Sequence, residues 1–113
     1  MDRKTLGRKG EDLAVEYLQK LGIKILERNK HFSRYCEADI IADDRGVLVL
    51  VEVKTRKNNA LGSPFEAITS TKYEHLKMAV FTYLQENPKY KRFRIDAIAI
   101  TLEPYKIEHL KNI

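Results

Sequence analysis

The sequence predicts an α/β fold in which two helices pack on a mixed five-stranded sheet, in the order α-β-β-β-α-β-β. Apolar residues recur every three or four positions over 4–21 and again over 71–87, which is the period of an amphipathic helix. The apolar run Val47–Val51 is typical of a strand covered on both faces. A chain of 113 residues has room for one core of ordinary size, so residues 1–113 are expected to form a single domain.

Turn and capping residues predict the limits of these elements. Gly22 ends the first helix, the second helix begins near a capping box at Thr71–Glu74, and Pro88 ends it. A hairpin turn is expected at Asp43–Gly46 and a loop at Arg56–Pro64. The predicted strands are residues 23–32, 38–42, 47–55, 93–102 and, as a short edge strand, 106–110.

The composition excludes several classes of protein. A hydrophobic fraction of 43% is too high for a disordered chain, and the longest apolar run, five residues, is too short to span a membrane. The charged residues 1–4 lead into no apolar stretch of the kind a signal peptide needs. Cys36 is the only cysteine, which excludes an internal disulfide and a cysteine-rich zinc site. A cytoplasmic protein without a membrane partner is therefore expected.

The net charge of +5 is distributed unevenly along the chain. Residues 36–53 carry a net charge of −4, between residues 1–35 at +4 and residues 54–94 at +6. A basic surface attracts nucleic-acid phosphates, whereas an acidic cluster within it repels them unless a cation is bound there. Proteins that cut nucleic acids use this arrangement, with Mg²⁺ between carboxylates and phosphate. Two of the acidic residues, Asp43 and Asp44, lie in the expected turn and are predicted to be solvated and without a role.

Three polar residues of the predicted hairpin are candidates for a metal site. Glu52 and Lys54 are two positions apart on the most apolar strand, so both point to one face. If the turn pairs Ala42 with Val47, Asp39 is a diagonal neighbour of Glu52, roughly 7–8 Å away, and both can bind one divalent cation. A bulge in the turn would instead move Asp39 to the other face.

These residues carry a resemblance to a known family. Asp39, twelve intervening residues and then Glu52-Val53-Lys54 resemble the metal-site motif of the PD-(D/E)XK nucleases. The chain also resembles the bacterial YraN-like family in four segments that occur in order, namely 10–18, 37–42, 51–56 and 62–67. The resemblance covers about residues 6–100. Where the family has Gly-Glu-Ile-Asp, this chain has Cys36-Glu37-Ala38-Asp39, so the acidic residues are retained and the glycine is not.

The resemblance implies a restriction-endonuclease-like (tRNA-endonuclease-like) fold and an endonuclease similar to archaeal Holliday junction resolvases. Asp39 and Glu52 would bind Mg²⁺ or Mn²⁺ with the Val53 carbonyl, and Glu11 would complete the acidic shell. Lys54 would position or deprotonate the attacking water. The implied substrate is nucleic acid, foremost branched or structured DNA, and analogy with resolvases suggests a homodimer. The residues expected to contact phosphate are Arg8, Lys9, Arg56, Lys57 and Lys72.

Two other interpretations remain open on the sequence. The first is a non-catalytic nucleic-acid-binding protein, either on the nuclease fold, where it would bind branched DNA or structured RNA without cutting it, or as a KH-like module. The KH version arises because Gly7-Arg8-Lys9-Gly10 has the form of the backbone-clamping GXXG loop of KH domains. Six residues precede it, too few for the strand and helix that a KH domain needs first. The second is a structural domain in which the carboxylates and Lys54 form a buried ion pair. That interpretation predicts that Mg²⁺ changes neither stability nor binding.

Overall fold

The computed structural model of the protein describes residues 1–34, 36–60 and 62–113. The elements are α1 (Arg3–Lys20), β1 (Lys24–Ser33), β2 (Cys36–Asp44), β3 (Val47–Arg56), a 3-10 helix (Pro64–Ala67), α2 (Ser70–Glu86), β4 (Phe93–Leu102) and β5 (Tyr105–Leu110). The mixed α/β class is confirmed. The observed order contains one element that the sequence did not predict, the 3-10 helix, because four residues are too few to show a helical period. Leu61, within the predicted loop, lies outside the described residues.

The sheet places the five strands in chain order, β1-β2-β3-β4-β5. β3 and β4 run parallel and are connected by α2, whereas the other neighbours are antiparallel. In β3, Leu48 and Leu50 pack with side chains of α2, and Val49 and Val51 pack with side chains of α1. The central strand is therefore covered on both faces, as its apolar run predicts. Neither helix of the described residues is long and apolar enough to cross a membrane.

The two helices begin at polar caps. The Asp2 carboxylate accepts a hydrogen bond from the Thr5 amide at 2.7 Å and caps α1, which ends before Gly22 with its φ of 83°. The predicted capping box of α2 is wrong by two residues. Thr69 is the cap, because it is extended and its hydroxyl accepts a hydrogen bond from the Lys72 amide at 3.1 Å.

The Gly7–Gly10 segment lies inside α1, so the interpretation as a KH loop is wrong. Gly10 has a packing role instead. A Cβ built on Gly10 would lie 1.8 Å from Thr55 Oγ1, whereas a Cβ on Gly7 would meet no atom within 4 Å. The backbone of α1 therefore approaches β3 closely beside the strand end that carries Lys54.

The hairpin between β2 and β3 is tighter than predicted. Asp44 pairs with Val47, and the two turn residues, Arg45 and Gly46, both have positive φ, 53° and 89°. The expected pairing of Ala42 with Val47 is therefore wrong by two positions. The bulge that would move Asp39 to the other face is absent from the described pairing between Ile40–Asp44 and Val47–Val51.

The expectation that Asp43 and Asp44 are solvated and without a role is also wrong. Asp43 accepts hydrogen bonds from the Tyr90 hydroxyl at 2.6 Å and from the Gly46 amide at 2.8 Å. Asp44 forms an ion pair with Arg94 at 2.8 Å. These contacts keep both aspartates in β2 and limit the turn to two residues.

Candidate metal centre

Asp39 and Glu52 meet at the end of the β2–β3 pairing. Ile40 pairs with Val51, and the two acidic residues are the next residue along each strand. Their carboxyl groups lie close enough to interact, and the Val53 amide donates a hydrogen bond to Asp39 Oδ2 at 2.8 Å. The tighter turn thus places the two residues directly across from each other and not at the predicted diagonal positions.

Burial and the neighbouring Glu52 carboxyl group change the protonation of Asp39. Burial raises the pKa of Asp39 to about 8, and the hydrogen bond and the negative charge of Glu52 add to this effect. The Val53 amide and the Lys72 ammonium act in the opposite direction. At neutral pH Asp39 therefore tends to keep its proton, in a place where a divalent cation would relieve the repulsion between two carboxylates.

Glu52 lies between two lysines. Its side chain is 3% exposed, with Lys54 Nζ 3.9 Å from Oε1 and Lys72 Nζ 3.2 Å from Oε2. Despite the ion pair, Oε2 accepts no hydrogen bond of good geometry from the described residues. The structure thus brings together Asp39, Glu52 and Lys54 as predicted, and it adds Lys72, which the sequence suggested only as a phosphate contact.

Glu11 has other partners than the acidic pair. It is buried on α1, where Oε1 accepts hydrogen bonds from Arg28 Nε at 3.2 Å and Asn29 Nδ2 at 2.8 Å. Burial raises the pKa of Glu11, the Arg28 hydrogen bond opposes the shift, and the Asp39 charge adds to it. Among the described residues no three His, Cys, Asp or Glu side chains are grouped to hold a metal. The described residues thus contain no three-carboxylate shell, and the expected role of Glu11 stays a prediction.

The donor chemistry of the pair nevertheless fits a divalent cation. Carboxylate oxygens are the ligands that Mg²⁺ and Mn²⁺ prefer. Glu52 Oε2 is buried without a hydrogen bond, and Asp39 presents a second carboxylate beside it. Val53 contacts Asp39 through its amide, so the expected contribution of its carbonyl stays a prediction.

A cleft of about 700 Å³ adjoins this centre. Leu6 of α1 and Pro64 of the 3-10 helix contribute apolar surface to it. The basic residues that line it are Arg3, Lys54, Arg56 and Lys57. Arg8 and Lys9 are exposed on α1 outside this lining. Three of the four basic residues that line the cleft follow Val53 in the sequence, namely Lys54, Arg56 and Lys57. The end of β3 and the residue after it therefore connect the acidic pair with the cleft.

A second polar network, which the sequence analysis missed, lies in the core. Asp96 is fully buried and accepts hydrogen bonds from Arg94 Nε at 3.0 Å and the Asn112 amide at 3.0 Å. His109 Nε2 lies 2.8 Å from Asp96 Oδ2, and its Nδ1 lies 3.0 Å from the Tyr17 hydroxyl. The signal was an aspartate within the otherwise apolar run 95–100. The network joins α1, β4, β5 and the C-terminal residues.

The comparison with known proteins assigns the family. The profile of the uncharacterised protein family UPF0102 matches residues 10–100. The chain belongs to this family. A UPF0102 protein of Syntrophomonas wolfei is 43% identical over 112 residues, which cover 96% of each chain. A UPF0102 protein of Geotalea daltonii is 46% identical over 116 residues, with 98% of this chain and 90% of the relative covered. Membership in UPF0102 confirms the family part of the resemblance.

Proposed function

We propose that this UPF0102 protein is a metal-dependent endonuclease that hydrolyses phosphodiester bonds in nucleic acid, with branched or structured DNA as its substrate. The observation that carries the proposal is the direct contact between the Asp39 and Glu52 carboxyl groups beside Lys54. Two neighbouring acidic groups, of which Glu52 is buried, are unfavourable in a structural core, and they are useful where a cation binds. The proposal includes membership in the PD-(D/E)XK superfamily and its restriction-endonuclease-like fold.

Each residue of the centre has a defined part in this chemistry. Asp39 and Glu52 would hold Mg²⁺ or Mn²⁺, and the Val53 amide keeps the Asp39 carboxylate turned toward Glu52. A bound divalent cation lowers the pKa of a water molecule and stabilises the charge that develops on the phosphate. Lys54, with its ammonium 3.9 Å from Glu52 Oε1, would orient the attacking water and carry positive charge toward the phosphate.

The basic cleft supplies the path for the nucleic acid. Arg56 and Lys57 continue the strand that carries Glu52, and Arg3 faces them from α1. A phosphate backbone that follows these cations passes Lys54 and reaches the acidic pair. The opening of about 700 Å³ has apolar and cationic walls, and its cations suit a phosphate backbone. The choice of branched or structured DNA over a continuous duplex rests on the resemblance to resolvases.

A non-catalytic nucleic-acid-binding protein on the same fold is the second candidate. It is favoured by one observation, that the Glu11 carboxylate is engaged in hydrogen bonds from Arg28 and Asn29. In that case the basic cleft would bind nucleic acid, and the Asp39–Glu52 pair would be neutralised by its proton and by the lysines. The two candidates differ in whether a phosphodiester bond is broken.

The test is a cleavage assay on end-labelled four-way junction, flap, nicked and intact duplex DNA of one sequence, in Mg²⁺, Mn²⁺ or a chelator. We expect metal-dependent cleavage of the irregular substrates, reduced more than about 100-fold by Asp39→Asn or Glu52→Gln, because either change removes a metal ligand. Glu108→Gln is the matched control, since Glu108 is a half-buried carboxylate of β5 outside the centre.

The result decides between the two candidates. Cleavage that persists unchanged in Asp39→Asn and Glu52→Gln would contradict the assignment of the centre. Binding of every substrate without cleavage in either metal would favour the non-catalytic protein. The expected cytoplasmic location and homodimer belong to the same proposal, and analytical ultracentrifugation of the free protein tests the dimer.

A further inference from the structure

We propose that Lys72 is the resident counter-ion of the Asp39–Glu52 pair and that its ammonium leaves the pair when a divalent cation binds. Its positive charge then limits the affinity of the centre for metal. The inference rests on the proposed function, because it assumes that the cation binds at the same two carboxyl groups. It concerns a residue of α2, whereas the expected metal ligands lie on α1, β2 and β3.

The contact between Lys72 and Glu52 is close, and the Glu52 side chain in it is buried. Lys72 Nζ lies 3.2 Å from Glu52 Oε2, whose side chain is 3% exposed. A carboxylate buried to this extent needs a compensating charge. The groups that face the ammonium are Glu52, Asp39 and the Cys36 thiol, and Lys54 approaches the other oxygen of Glu52. The Lys72 ammonium is thus the nearest positive charge to the atom that a metal would use.

Lys72 lies at a position in α2 where its positive charge is unfavourable for the helix. The attraction that holds its ammonium therefore comes from Glu52 and not from the helix. Lys72 lies in the first turn of α2, where its amide is held by the Thr69 cap at 3.1 Å. Positive charge in the first turn opposes the helix dipole, and no acidic side chain of that turn compensates it. The capped backbone is fixed while the four-carbon side chain remains flexible, and 34% of that side chain is exposed. The ammonium can therefore swing toward solvent without a movement of α2.

A divalent cation and the Lys72 ammonium compete for the same oxygen. The two positive charges also repel each other over the short distances inside the centre. A displaced Lys72 would stand at the edge of the centre, where a substrate phosphate is the nearest available anion. Removal of the Lys72 charge should consequently strengthen metal binding in the absence of nucleic acid.

Calorimetric titration of Mn²⁺ and Mg²⁺ into the metal-free full chain, without nucleic acid, tests this inference. We expect Lys72→Met to bind metal at least about tenfold more tightly than the wild type, equivalent to about 1.4 kcal/mol. Lys72→Arg retains the charge and should bind like the wild type. Lys77→Met removes a lysine from the same helix, whose ammonium lies 6.0 Å from the Tyr73 ring, and it is the matched control.

The outcomes separate this inference from the proposed function. Equal or weaker metal binding by Lys72→Met, with binding abolished in Glu52→Gln, would overturn the counter-ion role and leave the metal site intact. If neither the wild type nor any variant binds metal, even with uncleavable phosphorothioate DNA present, both the counter-ion role of Lys72 and the proposed function are overturned. If Lys72→Met does not fold, Lys72→Gln replaces it with the same expectation, because glutamine removes the charge but can still donate a hydrogen bond to Glu52.

Discussion

Replacement of Gly10 by alanine measures how closely α1 packs on β3. The added Cβ would lie 1.8 Å from Thr55 Oγ1 and 2.7 Å from both Thr55 Cβ and Cγ2. Overpacking of this kind costs about 3 kcal/mol at the upper end of the usual range. Alanine also stabilises a helix by about 1 kcal/mol relative to glycine. The free energy of unfolding should therefore fall by about 2 kcal/mol.

Gly7 provides the matched control for this prediction. It lies in the same helix, and a Cβ there would meet no atom within 4 Å. Gly7→Ala should therefore stabilise the protein by about 1 kcal/mol through helix propensity alone. The two glycine-to-alanine variants should thus differ by about 3 kcal/mol, which corresponds to roughly 12 °C in Tm for a domain of this size.

Urea-induced unfolding, followed by circular dichroism, measures both variants. Thr55→Gly removes all three atoms that the new Cβ would meet, so the double variant with Gly10→Ala should show a favourable coupling energy. If Gly10→Ala is as stable as Gly7→Ala, the close approach of α1 to β3 is wrong. The placement of Glu11 and Lys54 on either side of that contact would then be wrong as well.

Three further predictions follow from particular contacts. Burial and the neighbouring Glu52 carboxyl group raise the pKa of Asp39. The stability that protonated Asp39 contributes is therefore complete below about pH 4 and is lost as the pH rises toward 8. Asp39→Asn should remove this loss, and urea titrations with a chelator from pH 4 to 8 measure it. Asp96→Ala leaves His109 without its carboxylate partner and Arg94 with Asp44 alone, and it should cost about 3–5 kcal/mol, measured by thermal unfolding. Arg45→Asn should stabilise the hairpin by about 0.5–1 kcal/mol, measured by urea unfolding, because asparagine tolerates the positive φ that precedes Gly46.

Each of these predictions can be contradicted. An Asp39→Asn variant whose stability falls between pH 4 and 8 as steeply as that of the wild type would show that another group titrates. A loss below about 1 kcal/mol in Asp96→Ala would mean that water replaces the carboxylate. No gain in Arg45→Asn, with a loss in Gly46→Ala, would show that only the glycine of the turn carries strain.

The elements of the fold are largely predictable because they depend on local patterns. The apolar period of α1, the run Val47–Val51 and the stop at Gly22 each reflect interactions within a few residues along the chain. The error in the hairpin turn occurred where a distant side chain decides a boundary. Tyr90, 47 residues from Asp43, keeps that residue in the strand and shortens the turn.

The candidate centre divides in the same way. Glu52 and Lys54 could be assigned to one face from their spacing, because side chains alternate along a strand whatever its surroundings. The direct contact of Asp39 with Glu52 depends on the hairpin register, and the ion pair with Lys72 depends on how α2 packs on the sheet. Neither the Asp39–Glu52 contact nor the ion pair with Lys72 can be read from the sequence alone.

The amino-acid sequence alone predicts the α/β class, most limits of the helices and strands, and the acidic residues of the centre together with Lys54, because periodicity and spacing are local properties. Only the tertiary structure determines which carboxyl groups are in contact and which cation neutralises them. Glu11 illustrates the difference, because its helix follows from the apolar period, whereas its burial and its pairing with Arg28 depend on how α1 packs beside β1. Electrostatic interactions act over a few ångströms between residues far apart in the chain, so only tertiary packing sets them.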